Sequence, residues 1–177
     1  MSRAALARSL LVAALLPTAA LADAPCLPLG GQIALCPESG VWADAVAIPG
    51  DPETRAFEAP PFYLEAIPEL VDRAEFTTAD AALSMIEMML TEEALAEGEA
   101  APARRQRDMI VTDHATIAFD LFTEVMDGAE FPLAVLLTED DDVWLTLLLS
   151  GNEPMDADAF EQSARDLAAA LRPATEE

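Results

Sequence analysis

The chain has 177 residues, and its 33 acidic residues outnumber its nine basic residues to give a formal charge of −24 at pH 7. Such a surface repels nucleic acid and anionic lipid, so we expect neither as a partner. The charge is consistent with a solubilising surface or with recognition of a basic partner, and composition alone leaves both interpretations open. The length suffices for one domain with a hydrophobic core.

The N-terminus has the pattern of a secretory signal peptide. Arg3 and Arg8 precede an apolar run at residues 10–16, and the small residues Ala20 and Ala22 follow. Positive charge, an apolar segment and small residues at the cleavage point are the three parts of such a signal. The alternative is an uncleaved membrane anchor, but the apolar run is too short to cross a bilayer comfortably. The sequence therefore predicts export.

Cleavage is expected between Ala22 and Asp23, so that residues 1–22 are removed. Residues 23–172 then form a single exported domain, and residues 173–177 form a frayed acidic tail. Because the signal takes two arginines with it, the formal charge becomes −26. We expect a periplasmic or secreted protein that is a monomer and has no stable membrane insertion after cleavage.

Cys26 and Cys36 are the only cysteines of the chain. In an exported protein two such residues most simply form a disulfide, and Pro28 and Gly30–Gly31 between them let the chain turn back. The chain-entropy model assigns so short a loop about 2–3 kcal/mol of stabilisation. The alternatives fit less well, because residues 23–25 separate Cys26 from a lipoprotein cleavage point, a redox pair would favour Cys-x-x-Cys, and zinc would need further ligands.

Three strands are predicted in the first part of the domain. Residues Val41–Ile48 alternate and are rich in β-formers, and the proline and glycine of residues 49–52 predict a turn after them. Thr54–Ala59 and Phe62–Ile67 follow as two short strands. The pair Pro60-Pro61 between them is typical of a sheet edge, because proline cannot donate to the ladder.

A first helix is predicted to begin at Thr77. This residue has the position of an N-cap, and Asp80 places negative charge at the positive end of the helix dipole. Leu83 and Ile86 share the apolar face, and the helix ends near residues 98–102.

Three of the arginines cluster at the start of the next predicted strand, at Arg104, Arg105 and Arg107. The first interpretation is that they balance acidic neighbours. The second is that they contact an anion or a carboxylate of a ligand.

A first hairpin is predicted from Asp108–Thr112 and Ala115–Phe122. Asp113 and His114 form its turn, since both residues tolerate the backbone that tight turns require. His114 is therefore predicted to be a solvated turn residue. Its use as a general base is disfavoured, because no nucleophile is evident nearby.

The strongest β pattern is a second hairpin formed by Phe131–Thr138 and Val143–Ser150. The later strand has apolar residues on both sides, which predicts that both faces of the sheet are covered. The turn is acidic, and its side chains are expected to be solvated. It also offers a candidate cation site at Glu139, Asp140, Asp141 and Asp142, although it lacks the glycine and the alternating ligands of a calcium loop.

A second helix is predicted from Asp156 to Arg172, with Pro173 as its stop. Its first turns contain a further candidate set of cation ligands, Asp156, Asp158 and Glu161. The order of elements predicts an α+β fold, in which an antiparallel sheet of about five to seven strands is flanked by helices on both faces as an α/β/α sandwich.

At the level of layout the chain resembles the PsbP/DcrB-like α/β/α sandwich family. The resemblance covers residues 33–172 and is based on "VWADAVAIPG", "FPLAVLLTEDDDVWLTLLLSG" and "DADAFEQSARDLAAALR". It implies an exported, non-catalytic binding or assembly module, and it implies no active-site residues and no cofactor.

Three functions follow from these patterns. The first is a binding module that contacts a protein or a small ligand through a sheet edge or an inter-layer cleft. The second is a small periplasmic hydrolase, which the sequence disfavours because it has no Gly-x-Ser-x-Gly elbow and no phosphate loop. The third is a divalent-cation-binding protein that uses the acidic sets named above.

Overall fold

The computed structural model describes residues 26–50, 54–126, 128–140 and 143–174. The predicted signal peptide and its cleavage site at Ala22–Asp23 lie outside the described residues. So do Asp141 and Asp142 of the acidic turn and residues 175–177 of the tail.

The described residues form strands, two α-helices and one 3-10 helix. The strands are β1 (Leu27–Gly30), β2 (Ile33–Leu35), β3 (Val46–Ile48), β4 (Arg55–Ala59), β5 (Phe62–Pro68), β6 (Ala103–Val111), β7 (Thr116–Met126), β8 (Ala129–Asp140), β9 (Val143–Gly151) and β10 (Leu171–Pro173). The helices are α1 (Ala79–Glu97) and α2 (Ala157–Ala169), and the 3-10 helix is Val41–Asp44. A seven-stranded antiparallel sheet has the order β3-β4-β5-β9-β8-β7-β6, and a small sheet has the order β1-β2-β10.

Two buried clusters lie on opposite faces of the large sheet. Phe119 of β7 belongs to one cluster, together with residues of α2, and Phe122 belongs to the other, together with residues of α1. We call these faces the α2 face and the α1 face, since side chains alternate between them along each strand. The prediction that β9 is covered on both sides is confirmed for the start of the strand, because Leu147 lies in the first cluster and Trp144 in the second, whereas Leu148 and Ser150 further along are only half-buried.

The predicted α+β class and the large antiparallel sheet are confirmed. The large sheet dominates the molecule. Only one described α-helix packs on each of its faces, and the small sheet also packs on the α2 face through Leu29 and Leu35. None of the described helices is long and apolar enough to cross a membrane.

The bounds of the helices differ from the predicted ones at two points. The N-cap of α1 is Thr78 rather than Thr77, and its hydroxyl accepts a hydrogen bond from the amide of Ala81 at 3.3 Å. The second helix ends at Ala169, because residues Leu171–Pro173 leave it and pair with β2 as strand β10. Pro173, predicted to begin the frayed tail, therefore belongs to a strand.

The disulfide closes the β1–β2 hairpin, and a backbone hydrogen bond and one buried carboxylate hold this hairpin to the rest of the domain. Cys26 and Cys36 are bonded, as predicted, and the amide of Cys36 donates to the carbonyl of Ala170 at 2.8 Å. At the β1–β2 turn, Asp140 of β8 accepts hydrogen bonds from the amide of Gln32 at 2.9 and 3.2 Å.

Only the second half of the strand predicted at Val41–Ile48 is a strand in the structure. Val41–Asp44 form the 3-10 helix, because Trp42 turns into the core and donates its indole N–H to the carbonyl of Ser163 at 3.0 Å. Only β3 continues the prediction. The strands on either side of Pro60-Pro61 are confirmed, but neither is an edge: β4 lies between β3 and β5, and β5 lies between β4 and β9.

Candidate functional site

One half of the α1 face is not covered by the helix. The buried residues of the cluster that includes α1 include residues of β7, β8 and the start of β9, and none of β3, β4 or β5. Leu148, further along β9, is half-buried and packs against the border of this cluster. On these three strands, and at the end of β9, the side chains of this face are half-buried or exposed. We call this surface the open face, and its members are Val46, Ile48, Ala56, Glu58, Tyr63, Glu65, Ile67, Leu148 and Ser150.

The pairing register arranges the open face in rows across the strands. Val46 lies opposite Glu58, Glu58 lies opposite Tyr63, and Tyr63 lies opposite Ser150. The next row runs in the same way from Ile48 through Ala56 and Glu65 to Leu148. Directly opposite residues on one face are about 5 Å apart, so each row is a line of neighbouring side chains.

The polar centre of the open face consists of a phenol and two carboxylates. The hydroxyl of Tyr63 donates to Oε1 of Glu65 at 2.9 Å. Burial raises the pKa of Tyr63 above its ordinary value, and the hydrogen bond to Glu65 and the charge of that carboxylate raise it further. The only arginine in β3, β4 and β5 is Arg55, which lies on the other face and donates to the carbonyl of Pro28 at 2.9 Å. The open face is thus apolar at its margins and negative at its centre.

The open face ends at the edge strand β3, which has little protection against pairing. All three of its residues are exposed, Val46 at 65% and Ile48 at 37%, and none is charged. Exposed edges in natural proteins are usually guarded by charges, bulges, proline or shortness. Among the described residues, β3 has only its length of three residues and Pro49 directly after it for that purpose.

The opposite edge strand, β6, is guarded. Its pairing with β7 shifts between Arg104 and Gln106, which makes Arg105 a bulged residue. Its charged side chains are held by the helices: Arg104 contacts Glu87 of α1 at 2.7 Å, and Asp108 contacts Arg165 of α2 at 3.0 Å. The two edges of the sheet therefore differ in kind.

The three arginines predicted as a cluster lie along β6 and have different surroundings. Arg107 binds Asp120 with two hydrogen bonds of 2.8 and 2.6 Å, and it also contacts Asp80 of α1 at 2.7 Å. Arg104 and Arg107 therefore balance acidic neighbours, and Arg105 is exposed at the bulge. Asp120 is fully buried and is not among the predicted site residues, although it is a lone charged residue in the apolar run of β7.

Most of the described residues predicted as cation ligands form ion pairs or hydrogen bonds with other parts of the protein. Glu139 forms an ion pair with Arg73 at 2.7 Å, and Asp140 binds the backbone of Gln32. Asp156 is the N-cap of α2, and Glu161 contacts Arg165 at 2.8 Å; Asp158 lies in the first turn of that helix. Among the described residues there is no group of three or more His, Cys, Asp or Glu side chains placed to hold a metal ion.

His114 lies in the turn between β6 and β7, as predicted. Its side chain is exposed, and its amide donates to the hydroxyl of Thr112 at 3.2 Å, as does the amide of Ala115 at 3.0 Å. Asp113 beside it is also exposed. The hydrogen bonds of this segment are those of a turn.

A cleft of about 370 Å³ lies between the Cys36–Trp42 segment and the end of α2. Its charged lining residues are Glu38, Asp166 and Arg172. Arg172 is already used at the end of the helix, where Nη1 donates to the carbonyls of Ala169 and Leu171. We therefore place the candidate site at the open face and β3 rather than in this cleft.

No protein-family model and no curated protein matches this chain. Among solved structures, the cyanobacterial PsbP protein CyanoP from Synechocystis is similar over 73% of this chain and 80% of its own length, with 15% identity and a TM-score of 0.50. LpqN of Mycobacterium tuberculosis, described as involved in cell envelope biogenesis, is similar over 84% of this chain and 82% of its own, with 13% identity and a TM-score of 0.39.

A protein from Bacteroides thetaiotaomicron is similar over 82% of this chain with 10% identity and a TM-score of 0.47. This chain spans about half of its length, 49%. The predicted resemblance to the PsbP/DcrB-like fold is thus confirmed, and at this identity it concerns the fold alone.

Proposed function

We propose that this protein is an exported, non-catalytic binding module that docks a protein partner on the open face and on the edge strand β3. The observation that carries the proposal is the coincidence of an edge strand without charges or bulges with the half of the α1 face that α1 leaves uncovered. In this view the molecule is a helix–sheet–helix sandwich whose α1 layer is incomplete, and the partner completes it. Adding a strand to a free sheet edge is an established mode of protein recognition.

The proposed location is the periplasm or the extracellular space, reached after cleavage between Ala22 and Asp23. The Cys26–Cys36 disulfide supports a compartment outside the cytoplasm, since disulfides persist in oxidising environments. The pattern of residues 1–22 supports export by a signal peptide. No arrangement in the described residues favours the hydrolase or the cation-binding alternative over this function.

The test compares two edges of the same protein. Tagged protein is crosslinked in intact cells of its own host and recovered, and copurifying proteins are quantified by mass spectrometry. We expect a partner that is recovered with the unmodified protein and lost when Val46→Ser and Ile48→Ser remove the apolar side chains of β3. The matched control combines Met109→Ser with Val111→Ser on β6, where the exposure is similar, and it should retain the partner.

Equal recovery with both double variants would contradict the proposal. The four substituted side chains are between 37% and 76% exposed, so both variants are expected to fold. Near-identical melting temperatures would confirm this and leave the comparison interpretable.

A further inference from the structure

We infer that the occupant of the open face is an extended, basic segment of the partner protein, which pairs with β3 as an added strand and places a cationic side chain at Glu58, beside Tyr63. This inference depends on the proposed function and names the chemistry of its partner.

The geometry of β3 favours an extended segment. A segment that pairs with β3 lies about 5 Å beyond it, and alternate side chains of that segment then project over the open face. The first side chains they meet are Val46 and Ile48, which are exposed and apolar. Behind Val46 lies Glu58, one strand further in, within reach of a long side chain such as that of arginine or lysine.

The charge of the site favours a basic segment. The row behind β3 begins with Glu58 and Tyr63, and Glu65 follows two residues after Tyr63 on the same face. The face of a tyrosine ring attracts a cation, and the two carboxylates add to that attraction. The whole chain, with a formal charge of −24, attracts a basic partner and repels an acidic one.

A second copy of this chain would fit the open face poorly. A symmetric pair stacked with one open face on the other would bring Glu58 and Glu65 of one copy towards the same residues of the other copy. Like charges that face each other across an interface are unfavourable, and the net charge of each chain opposes association further.

The probe is an acetylated, dye-labelled peptide of alternating arginine and valine, with alternating glutamate and valine as its opposite-charge control. Fluorescence anisotropy measures the Kd of each peptide at two salt concentrations. We expect Glu58→Gln with Glu65→Gln to raise the Kd of the arginine peptide about tenfold. The matched variant Glu92→Gln with Glu153→Gln removes the same charge from exposed positions elsewhere and should change the Kd less than about twofold.

Tyr63 gives a second readout, because it is the only tyrosine of the chain. A cation bound at Glu58 lowers the pKa of Tyr63, and the absorbance of tyrosinate reports that shift directly. Arginine stays charged throughout this titration, so the probe does not lose its own charge. The glutamate peptide should leave the titration of Tyr63 unchanged.

The inference is overturned if the arginine peptide fails to bind, if both pairs of variants weaken it equally, or if the titration of Tyr63 does not move. A chain that forms dimers in sedimentation velocity, with β3 as the interface, would also overturn it, because the occupant of the open face would then be a second copy of this chain. The proposed function is tested separately: a partner that depends on Val46 and Ile48, found together with no peptide binding, would reject the basic segment alone.

Discussion

Asp120 and Arg107 form the most deeply buried ion pair among the described residues. The carboxylate of Asp120 is fully buried, whereas the side chain of Arg107 is 24% exposed and also forms an ion pair with Asp80 on α1. The contact between Arg107 and Asp120 strongly raises the pKa of the guanidinium, chiefly through their hydrogen bonds. The pair joins β6 and β7 to the helix, which gives the arginines of this segment a structural role.

Replacing Arg107 by methionine should destabilise the protein by about 3–5 kcal/mol, because it leaves a buried carboxylate without its partner. Arg104→Met is the matched control, since Arg104 and its partner Glu87 are 38% and 33% exposed, and it should cost about 1 kcal/mol or less. Urea unfolding followed by tryptophan fluorescence measures both. Equal losses for the two variants would contradict the structural role given to Asp120.

Glu124 predicts a specific dependence of stability on pH. Burial raises the pKa of this carboxyl group, and the charges of Glu99 and Glu93 raise it further. A group whose pKa is raised by folding stabilises the protein below its ordinary pKa, and this contribution is lost as the pH rises through the raised value.

Glu124→Gln should therefore increase the free energy of unfolding at pH 7 and have little effect below about pH 4, where glutamate is protonated in both states. The control is Glu130→Gln, an exposed position on the adjacent strand β8, for which we expect little change. Thermal unfolding at a series of pH values gives the comparison. A gain that is the same at pH 3 and pH 7 would show that the charge of Glu124 is not its cause.

At the scale of elements, the β1–β2 hairpin depends on its contact with Asp140. Gly31 has a φ of +45°, and a Cβ at this position would lie 1.9 Å from Oδ2 of Asp140. The acidic turn predicted to be solvated thus contributes a buried carboxylate that caps the hairpin. This could not be predicted from the sequence, because it depends on the end of β8 meeting a turn 108 residues earlier in the chain.

Gly31→Ala should cost at least about 2 kcal/mol, because the new methyl group displaces a hydrogen-bonded carboxylate in addition to straining the backbone. Gly128→Ala is the control, since Gly128 has a φ of +79° but a methyl group there would meet no other atom within 4 Å. We expect it to show only the backbone cost of about 1 kcal/mol. Equal melting temperatures of the two variants would argue against the role of Asp140.

The sequence predicts most elements because their patterns are local. The two hairpins at β6–β7 and β8–β9 follow from alternation and turn residues, and the disulfide follows from the compartment that the N-terminus implies. The predicted bounds are wrong where tertiary contacts decide them. Trp42 bends its segment into a 3-10 helix to reach the core, and Leu171–Pro173 become a strand because β2 lies beside them.

At the scale of the whole molecule, the candidate site follows from coverage rather than from any motif. Glu58, Tyr63 and Glu65 stand in ordinary alternating strands, and nothing in their spacing marks them. They form a surface because α1 packs over β7 and β8 and leaves β3, β4 and β5 uncovered on that side. Sequence alone predicts a sheet edge or a cleft as the place of binding, and it does not indicate which edge is free.

The measurement that tests the central claim most directly is amide hydrogen exchange of the protein alone and in the complex recovered from its host. If the partner docks as proposed, the amides of β3 become protected on binding, while those of β6 exchange at the same rate in both samples. Protection of β6, or of the cleft beside Cys36, with no change in β3 would contradict the account.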